Sequence, residues 1–337
     1  MMSSKSICVA GAGSIGCFVG GMLRSGGRSI SFLARPRVID DINRNGLKVT
    51  SFEGIEHRLS SAEIKLSGDP AALFADADII LVTVKSDDTA EIADLIARHA
   101  GRDAVIVSLQ NGTGNVTVLR EALPDHDVLA GMVPFNVLSL GDGHFHRATS
   151  GDILLEEDDA DTAKFLSQPE LVFRGVEDIE GVQWGKLLVN LNNALNALSN
   201  LPLRDQLAQR SWRGLLADQM REALKVVKAE GIVPLSTTPL PASVTPFILK
   251  LPDVLFSRIA ASMVKIDPKA RSSMWEDLQR GRRTEIDHLQ GLIVTLAKRH
   301  GLQAPLSARI VALIRKAEQA AKGSPGLTPE QIRSAAI

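Results

Sequence analysis

The feature that most constrains this chain is a glycine-rich turn that follows a short apolar run near its amino terminus. Residues 7–10 are apolar and uncharged, as expected of a strand buried on both faces, and Gly11, Gly13 and Gly16 follow in a G-x-G-x-x-G pattern. The apolar segment 15–23 is typical of a helix. A strand, a glycine turn and a helix in this order predict the phosphate-binding start of a dinucleotide-binding domain.

Each glycine of this turn has a physical role toward a bound pyrophosphate. Gly11 allows the tight turn, Gly13 lets the pyrophosphate approach the backbone, and Gly16 lets the helix pack closely on the strand. The first helical turn, with Ser14 and Ile15, offers unpaired N–H groups and the positive end of a helix dipole. We therefore predict that all five residues bind the cofactor. A purely structural glycine turn is the simpler alternative, and the many glycines argue against a signal peptide.

Bulk composition narrows the class of protein and its partners. A chain of 337 residues predicts two domains, and 45% hydrophobic with 23% charged residues is typical of a soluble globular protein. The net charge of −1 favours neither nucleic acid nor a membrane surface as a partner. The two cysteines, Cys8 and Cys17, are predicted core residues, which fits a cytoplasmic location. The absence of Tyr excludes a tyrosine general acid.

The end of the second predicted strand bears on the choice of cofactor. Residues 29–33 form that strand, and Arg35 and Arg37 follow it. An acidic residue near this point would bind the ribose hydroxyls of NAD, whereas an arginine can pair with the 2′-phosphate of NADP. We therefore predict NADP(H) as the cofactor and Arg35 as the residue that selects it. A solvated surface arginine is the alternative.

Two further predicted strands end beside polar residues. Lys85 follows the strand 78–84, and Asn111 follows the strand 104–109. Because open α/β sheets bind ligands at the carboxyl ends of their strands, we expect both side chains near the cofactor and substrate. For Asn111 the turn chemistry of an Asn-Gly pair is an alternative explanation.

The alternation of strands and helices stops near Arg174, and the rest of the chain has helical patterns. The fold class predicted is α/β, with an N-terminal Rossmann-type dinucleotide-binding domain followed by an all-helical C-terminal domain. We place the NADP-binding domain at residues 1–175, the helical substrate and catalytic domain at 176–325, and a tail at 326–337.

Two short segments near the end of the first domain are predicted to pair as antiparallel edge strands, residues 144–148 and 152–156. The first of them contains His144 and His146, which have the spacing of metal ligands. Because no third ligand accompanies them, we predict no metal site.

The second domain opens with a predicted helix over residues 178–199. On a helical wheel Lys186, Asn190, Asn193 and Ala197 share one side, and leucines occupy the other. A single cation among neutral amides predicts a proton donor flanked by groups that orient a polar substrate. A solvent-facing helix edge explains the same spacing.

A serine pair further along the chain precedes another predicted helix. Ser273 and Glu276 have the spacing of a capping box, with Ser273 as the N-cap residue. This structural role is the alternative to any role for Ser273 in binding.

Several of these motifs together resemble the ketopantoate reductase (PanE/ApbA) family over nearly the whole chain. The motifs are G-A-G-S-I-G, Val-Thr-Val-Lys85, Leu-Gln-Asn111-Gly112, Trp184-Gly-Lys186-x-x-x-Asn190, Ser272-Ser273-Met274-x-x-Asp277 and Arg283-Thr284-Glu285-Ile286-Asp287. The resemblance implies a Rossmann domain, a helical domain with the active site in the cleft between, and reduction of ketopantoate to pantoate with NADPH.

The same resemblance implies roles for individual residues. Lys186 is expected to be the general acid. Asn111 and Asn190 are expected to orient the substrate, with Asn111 also near the cofactor. For the rest, the resemblance implies that Ser273 binds the carboxylate or hydroxyl end of the substrate, Asp277 braces the site, Lys85 lies near the cofactor and substrate, and Glu285 contacts the cofactor.

One position departs from the family pattern and leaves the substrate open. A second asparagine is expected where this chain has Ala194, and Asn193 lies one place earlier. A related reductase of another 2-oxo or imino acid is therefore an alternative, and a non-catalytic NADPH sensor is another. A thioester mechanism is excluded, since the second half of the chain has no cysteine. We expect a small-molecule 2-oxo acid as partner and a monomer or homodimer.

Overall fold

The computed structural model describes residues 5–236, 241–259 and 270–335. The chain divides into two compact units, Met1–Ile179 and Glu180–Ile337. Along the described segments, no helix has both the length and the hydropathy needed to cross a membrane.

The first unit contains two sheets and the helices that connect their strands. Its strands are β1 (Ser6–Ala10), β2 (Ser29–Leu33), β3 (Leu47–Ser51), β4 (Glu56–Leu59), β5 (Lys65–Ser67), β6 (Ile79–Val82), β7 (Val105–Ser108), β8 (Val128–Met132), β9 (Val137–Gly141), β10 (His144–Arg147), β11 (Ile153–Glu156) and β12 (Phe173–Val176). Its helices are α1 (Ser14–Ser25), α2 (Pro36–Asn45), α3 (Pro70–Phe74), α4 (Thr89–His99), α5 (Asn115–Ala122) and α6 (Thr162–Leu166).

The larger sheet has the order β12-β11-β8-β7-β6-β1-β2-β5. Strand β1 lies between β6 and β2 and is parallel to both, while β11 pairs antiparallel to β8. The four apolar residues of β1 that precede the glycine turn are almost completely buried, as expected of a strand covered on both faces. Cys8 and Cys17 are buried free thiols, and burial raises the pKa of Cys8 to about 11. The predicted α/β fold class is confirmed.

The predicted pairing of residues 144–148 with 152–156 is wrong. Strand β10 instead pairs antiparallel to β9 and parallel to β3, in a separate sheet of order β4-β3-β10-β9. Strand β11 joins the larger sheet between β8 and β12. The tight turn before β10 explains the difference, because Asp142 and Gly143 both have positive φ and fold the chain back onto β9.

The two histidines of β10 share one partner on the neighbouring strand. His144 Nε2 and His146 Nδ1 each lie 2.8 Å from the hydroxyl of Thr50. In the described part of the chain, no three His, Cys, Asp or Glu side chains are grouped as metal ligands.

In the described residues of the second unit, every regular element is a helix, and turns and irregular segments connect these helices. Its helices are α7 (Ile179–Asn190), α8 (Asn192–Ser199), α9 (Leu203–Ala208), α10 (Arg210–Ala229), α11 (Thr245–Leu249), α12 (Asp253–Ile259), α13 (Ser273–Gln279), α14 (Gln290–Arg299), α15 (Pro305–Ala320) and α16 (Pro329–Ser334). Leucines of α7, α8 and α10 form much of its core, together with apolar residues of α14 and α15.

The single helix predicted over residues 178–199 is divided at Leu191, which separates α7 from α8. The side chain of Gln290, which is fully buried, donates a 2.9 Å hydrogen bond to the main-chain carbonyl of Leu191. A side chain that occupies a helix carbonyl competes with the regular main-chain ladder. The division therefore comes from a residue about a hundred positions away, which helical periodicity does not report.

The segment predicted as a tail packs on the second unit. Leu327 N donates to the carbonyl of Leu198 at 2.8 Å. Just before the tail, Ser324 Oγ donates to the carbonyl of Ala197 at 2.5 Å. Thr328 caps α16, whose Ile332 is fully buried. Residues 336 and 337 of the predicted tail lie outside the described residues.

Candidate active site

The glycine turn after β1 has the close contacts that its sequence pattern requires. Gly11 has a φ of +115°, and a Cβ there would lie 2.8 Å from the main-chain nitrogen of Val84. A Cβ on Gly16 would overlap the carbonyl oxygen of Gly11. Both positions therefore need glycine for the turn and for the packing of α1 on β1.

Gly13 has a different environment from its two neighbours in the motif. A Cβ built on Gly13 meets nothing within 4 Å, so this face of the turn is open. Gly13 is the N-cap residue of α1, and no side chain caps this helix. The N–H groups of Ser14 and Ile15 therefore begin a helix whose open end suits an anion, and the turn fits the pyrophosphate of a dinucleotide.

Arg35 lies two residues beyond β2 and is the N-cap residue of α2. Its side chain is exposed and forms a 2.9 Å ion pair with Asp88. The sequence alone indicated an arginine at this edge of the sheet. The sequence did not indicate that Asp88, in the segment after β6, would form an ion pair with this arginine.

Lys85 and Asn111 follow β6 and β7, which are adjacent and parallel. A buried polar network joins the two segments. Asn115 Nδ2 donates to the carbonyl of Asn111 at 2.6 Å and to Ser86 Oγ at 3.1 Å. Gln110 Nε2 donates to Thr89 Oγ1 at 2.8 Å.

This network holds the main chain of Asn111 and the side chain of Ser86, the residue next to Lys85. Ser86, Thr89, Gln110 and Asn115 are all buried. The sequence assigned none of them a role, although Gln110 belongs to the motif that precedes Gly112. The available signal was a set of Ser, Thr, Asn and Gln residues at strand–helix junctions, since buried polar groups need hydrogen-bond partners. Lys85 itself is exposed and Asn111 is half-buried.

Lys186 and Asn190 lie on α7 and are both half-buried. Burial lowers the pKa of the Lys186 ammonium to about 8, and the Glu285 carboxylate opposes this shift. A lysine with a lowered pKa in a desolvated environment is typical of a proton-transfer site, although structural burial produces the same effect. Lys186 is therefore not on a fully solvated helix edge, and its role as a proton donor stays a prediction.

Glu285 belongs to a short segment that α15 holds at both ends. Glu318 accepts a 2.7 Å hydrogen bond from the main-chain N–H of Thr284, and Arg315 donates at 2.6 Å to Asp287. Neither Glu318 nor Arg315 was expected from the sequence. They lie about 30 residues beyond the segment, and nothing in their own spacing indicates this contact.

The predicted N-cap of α13 is wrong by one residue. Ser272 is the N-cap, because its Oγ accepts a 3.1 Å hydrogen bond from Trp275 N. The same hydroxyl donates to the carbonyl of Asn193 at 2.9 Å, and Ser272 N donates to Asn196 Oδ1 at 2.9 Å. Ser273 is the first helical residue and is exposed. The capping explanation for Ser273 therefore no longer applies.

The remaining predicted positions are also on helices of the second unit. Ala194 is fully buried, and Asn193 beside it is half-buried. Asp277 is half-buried on α13, and its main-chain carbonyl accepts a 2.8 Å hydrogen bond from Arg282 N.

Two family models match most of the chain. The model of ketopantoate reductase PanE/ApbA matches residues 7–159, and that of the PanE/ApbA C-terminal region matches residues 178–318. The chain belongs to the ketopantoate reductase PanE/ApbA family. The resemblance expected from the sequence motifs is confirmed.

One curated relative and one solved structure align with nearly the whole of this chain. A 2-dehydropantoate 2-reductase of Halobacterium salinarum is 27% identical over 322 residues, covering 93% of this chain and 99% of the relative. The crystal structure of a PanE/ApbA family ketopantoate reductase from Ralstonia eutropha JMP134 has a TM-score of 0.80 and 29% identity, covering 94% of this chain and 99% of that one.

A second similar structure is named for a different substrate. It is D-mandelate dehydrogenase with NADH and anilino(oxo)acetate, with a TM-score of 0.77 and 21% identity, covering 94% of this chain and 99% of that one. At this identity the likeness shows the fold alone. The ketopantoate reductase fold therefore also occurs in an enzyme named for another substrate.

Proposed function

We propose that this ketopantoate reductase family member reduces 2-dehydropantoate (ketopantoate) to pantoate with NADPH, in pantothenate and coenzyme A biosynthesis. The observation that carries the proposal is the partly buried Lys186 in a chain that matches both family models. Burial lowers the pKa of this lysine, and the negative charge of Glu285 opposes the lowering. Cofactor binding is assigned to the first unit and catalysis to the second.

Lys186 performs the proton chemistry in this proposal. When bound, NADPH supplies a hydride to the carbonyl carbon of the substrate. The Lys186 ammonium stabilises the negative charge that grows on the carbonyl oxygen and then donates a proton to it. With a pKa of about 8, the group is protonated at neutral pH and still gives up its proton readily.

The other residues of the site bind and orient. Asn111 and Asn190 are assigned to the orientation of the substrate carbonyl, and Ser273 to the carboxylate or hydroxyl end of the substrate. Support for Ser273 comes from its exposed position next to the capping residue Ser272. Asp277 is assigned to bracing this end of α13.

The cofactor contacts are divided among three parts of the chain. The glycine turn, with the N–H groups of Ser14 and Ile15, is assigned to the pyrophosphate. Arg35 is assigned to the 2′-phosphate of NADP, which an arginine fork matches. Lys85, Asn111 and Glu285 are assigned to further cofactor contacts, and the Glu285 carboxylate also raises the pKa of Lys186 against the effect of burial.

Lys186→Ala tests the proposal directly. We expect kcat with ketopantoate to fall about 10²–10⁴-fold, the usual contribution of a positioned general acid, while the Kd for NADPH stays within about twofold. Lys225→Ala, an exposed lysine on α10, is the matched control and retains full activity. Near-normal turnover by Lys186→Ala contradicts the assignment.

Reduction of a different 2-oxo acid is the second candidate function. It is favoured by Ala194, which stands where the family pattern has a second asparagine. Initial rates with ketopantoate and a panel of aliphatic and aromatic 2-oxo acids, each with NADPH and with NADH, separate the two candidates. A kcat/KM at least tenfold higher for another 2-oxo acid than for ketopantoate selects the second.

A further inference from the structure

The ion pair between Arg35 and Asp88 joins two segments that leave the sheet on opposite sides of β1. Arg35 follows β2, and Asp88 ends a short 3-10 turn that follows β6. In the sheet β1 lies between these two strands and is parallel to both. The 2.9 Å contact therefore spans the carboxyl edge of the sheet where the glycine turn begins.

The contact is weak enough for a ligand to displace. The side chains of Arg35 and Asp88 are 84% and 36% exposed, and exposed ion pairs contribute little net stability. Among the described residues Asp88 is the one side-chain partner of Arg35, and it accepts from Nη2 alone. The remaining donors of the guanidinium fork stay available for an anion.

We propose that Asp88 limits how strongly this chain prefers NADPH over NADH. The inference rests on the proposed function, in which Arg35 binds the 2′-phosphate. That phosphate must compete with the Asp88 carboxylate for the guanidinium of Arg35. It also brings up to two negative charges close to the negative charge of Asp88, which repels them. Both effects weaken the binding of NADPH and leave that of NADH unaffected, because NADH has a neutral hydroxyl at this position.

The pair also accounts for an acidic residue that sequence reasoning did not find. NAD-binding units carry an acid after the second strand that accepts from the ribose hydroxyls. This chain has arginine there, and an acid reaches the same arginine from the segment after β6. One edge of the sheet thus holds a group that favours the phosphate and a group that disfavours it.

Asp88→Asn removes the charge and keeps the shape of the side chain. No side-chain hydrogen bond of Asp88 caps α4, and asparagine is equally suited to that helix start. We expect the Kd for NADPH, measured by calorimetric titration of the full chain, to fall about three- to fivefold, with the Kd for NADH within twofold of wild type. High salt reduces the difference. Asp94→Asn, an exposed acid on α4, is the control and changes neither Kd.

Arg35→Ala and the double variant separate this inference from the proposed cofactor. Arg35→Ala removes the preference for NADPH, and in that background Asp88→Asn improves NADPH binding by a smaller factor than in the wild type. If Arg35→Ala removes the preference but Asp88→Asn alone leaves the ratio of the two Kd values unchanged, the inference on Asp88 is overturned and the proposed cofactor stands. If the wild type shows no preference and Arg35→Ala has no effect, the proposed use of NADP and this inference both fail.

Discussion

The side-chain amide of Asn115 donates a 2.6 Å hydrogen bond to the main-chain carbonyl of Asn111, the residue assigned to substrate and cofactor binding. The same amide donates at 3.1 Å to Ser86, the neighbour of Lys85. One buried side chain at the start of α5 thereby bonds the main chain that follows β7 and a side chain that follows the adjacent strand β6. The positions of Lys85 and Asn111 therefore depend on Asn115, although neither hydrogen bond involves the side chain of Lys85 or of Asn111.

Asn115→Ala is expected to lower the free energy of unfolding by about 1–3 kcal/mol, because it removes three side-chain hydrogen bonds from a buried network. Urea denaturation measures this loss. Asn45→Ala is the matched control, since Asn45 donates a similar bond to Asp41 at the surface, and it should change stability by less than about 0.5 kcal/mol. Equal losses in both variants contradict the argument.

The glycines of the turn should separate folding from cofactor binding. Gly13→Ala is expected to keep a wild-type Tm, because its Cβ meets nothing within 4 Å, yet to weaken NADPH binding at least tenfold because the methyl group obstructs the pyrophosphate. Gly16→Ala should lower the Tm instead, since its Cβ overlaps the carbonyl of Gly11. Thermal unfolding and calorimetric titration measure the two effects. Wild-type NADPH affinity in Gly13→Ala contradicts the cofactor assignment.

The pH dependence of catalysis should report Lys186. A general acid must be protonated, so kcat/KM is retained below its pKa and lost as the pH rises through about 8, well below the ordinary lysine value of 10.5. Glu285→Gln removes a charge that holds this pKa up, so the loss should move to lower pH. Glu330→Gln, an exposed site on α16, is the control. A basic limb that is the same in all three proteins contradicts the assignment.

Asn196 is expected to position Ser273 through its neighbour. Asn196→Ala removes the acceptor of Ser272 N, so the start of α13 should shift and the KM for the 2-oxo acid should rise about tenfold. The Kd for NADPH should not change, and Ser273→Ala should raise the same KM. A loss of stability without a rise in KM would assign Asn196 a structural role only.

Arg213 is expected to be essential for the stability of the second unit. Its fully buried guanidinium donates to the carbonyls of Leu207, Ala208, Leu249 and Leu251 and to the Asp253 carboxylate. Arg213→Ala should cost about 3–5 kcal/mol of unfolding free energy, because it leaves these acceptors unpaired and removes one side of an ion pair. Arg210→Ala, at an exposed site with one such bond, should cost less than about 1 kcal/mol, and urea denaturation compares the two.

Local patterns predicted the parts of this fold whose causes are local. The strand predicted at residues 29–33 has those bounds in the structure, since apolar patterning and flanking turn residues act within a few positions. The predicted pairing of β10 with β11 was wrong, because an alternating pattern does not specify which strand lies next to which. The predicted N-cap of α13 was wrong by one residue, because Ser272 and Ser273 have the same side chain. Hydrogen bonds to Asn193 and Asn196 fix Ser272 as the cap.

The amino-acid sequence by itself determined the strand, glycine turn and helix, the change to helical patterns, and the family. These depend on φ values, apolar periodicity and residue types that neighbouring positions specify. Only the tertiary structure decided which side chains hold the site residues: Asn115 for Asn111, Glu318 for the Glu285 segment, and Asp88 for Arg35. Those contacts join residues from different elements of the chain. The spacing of residue types along the sequence does not show which elements lie next to each other in space.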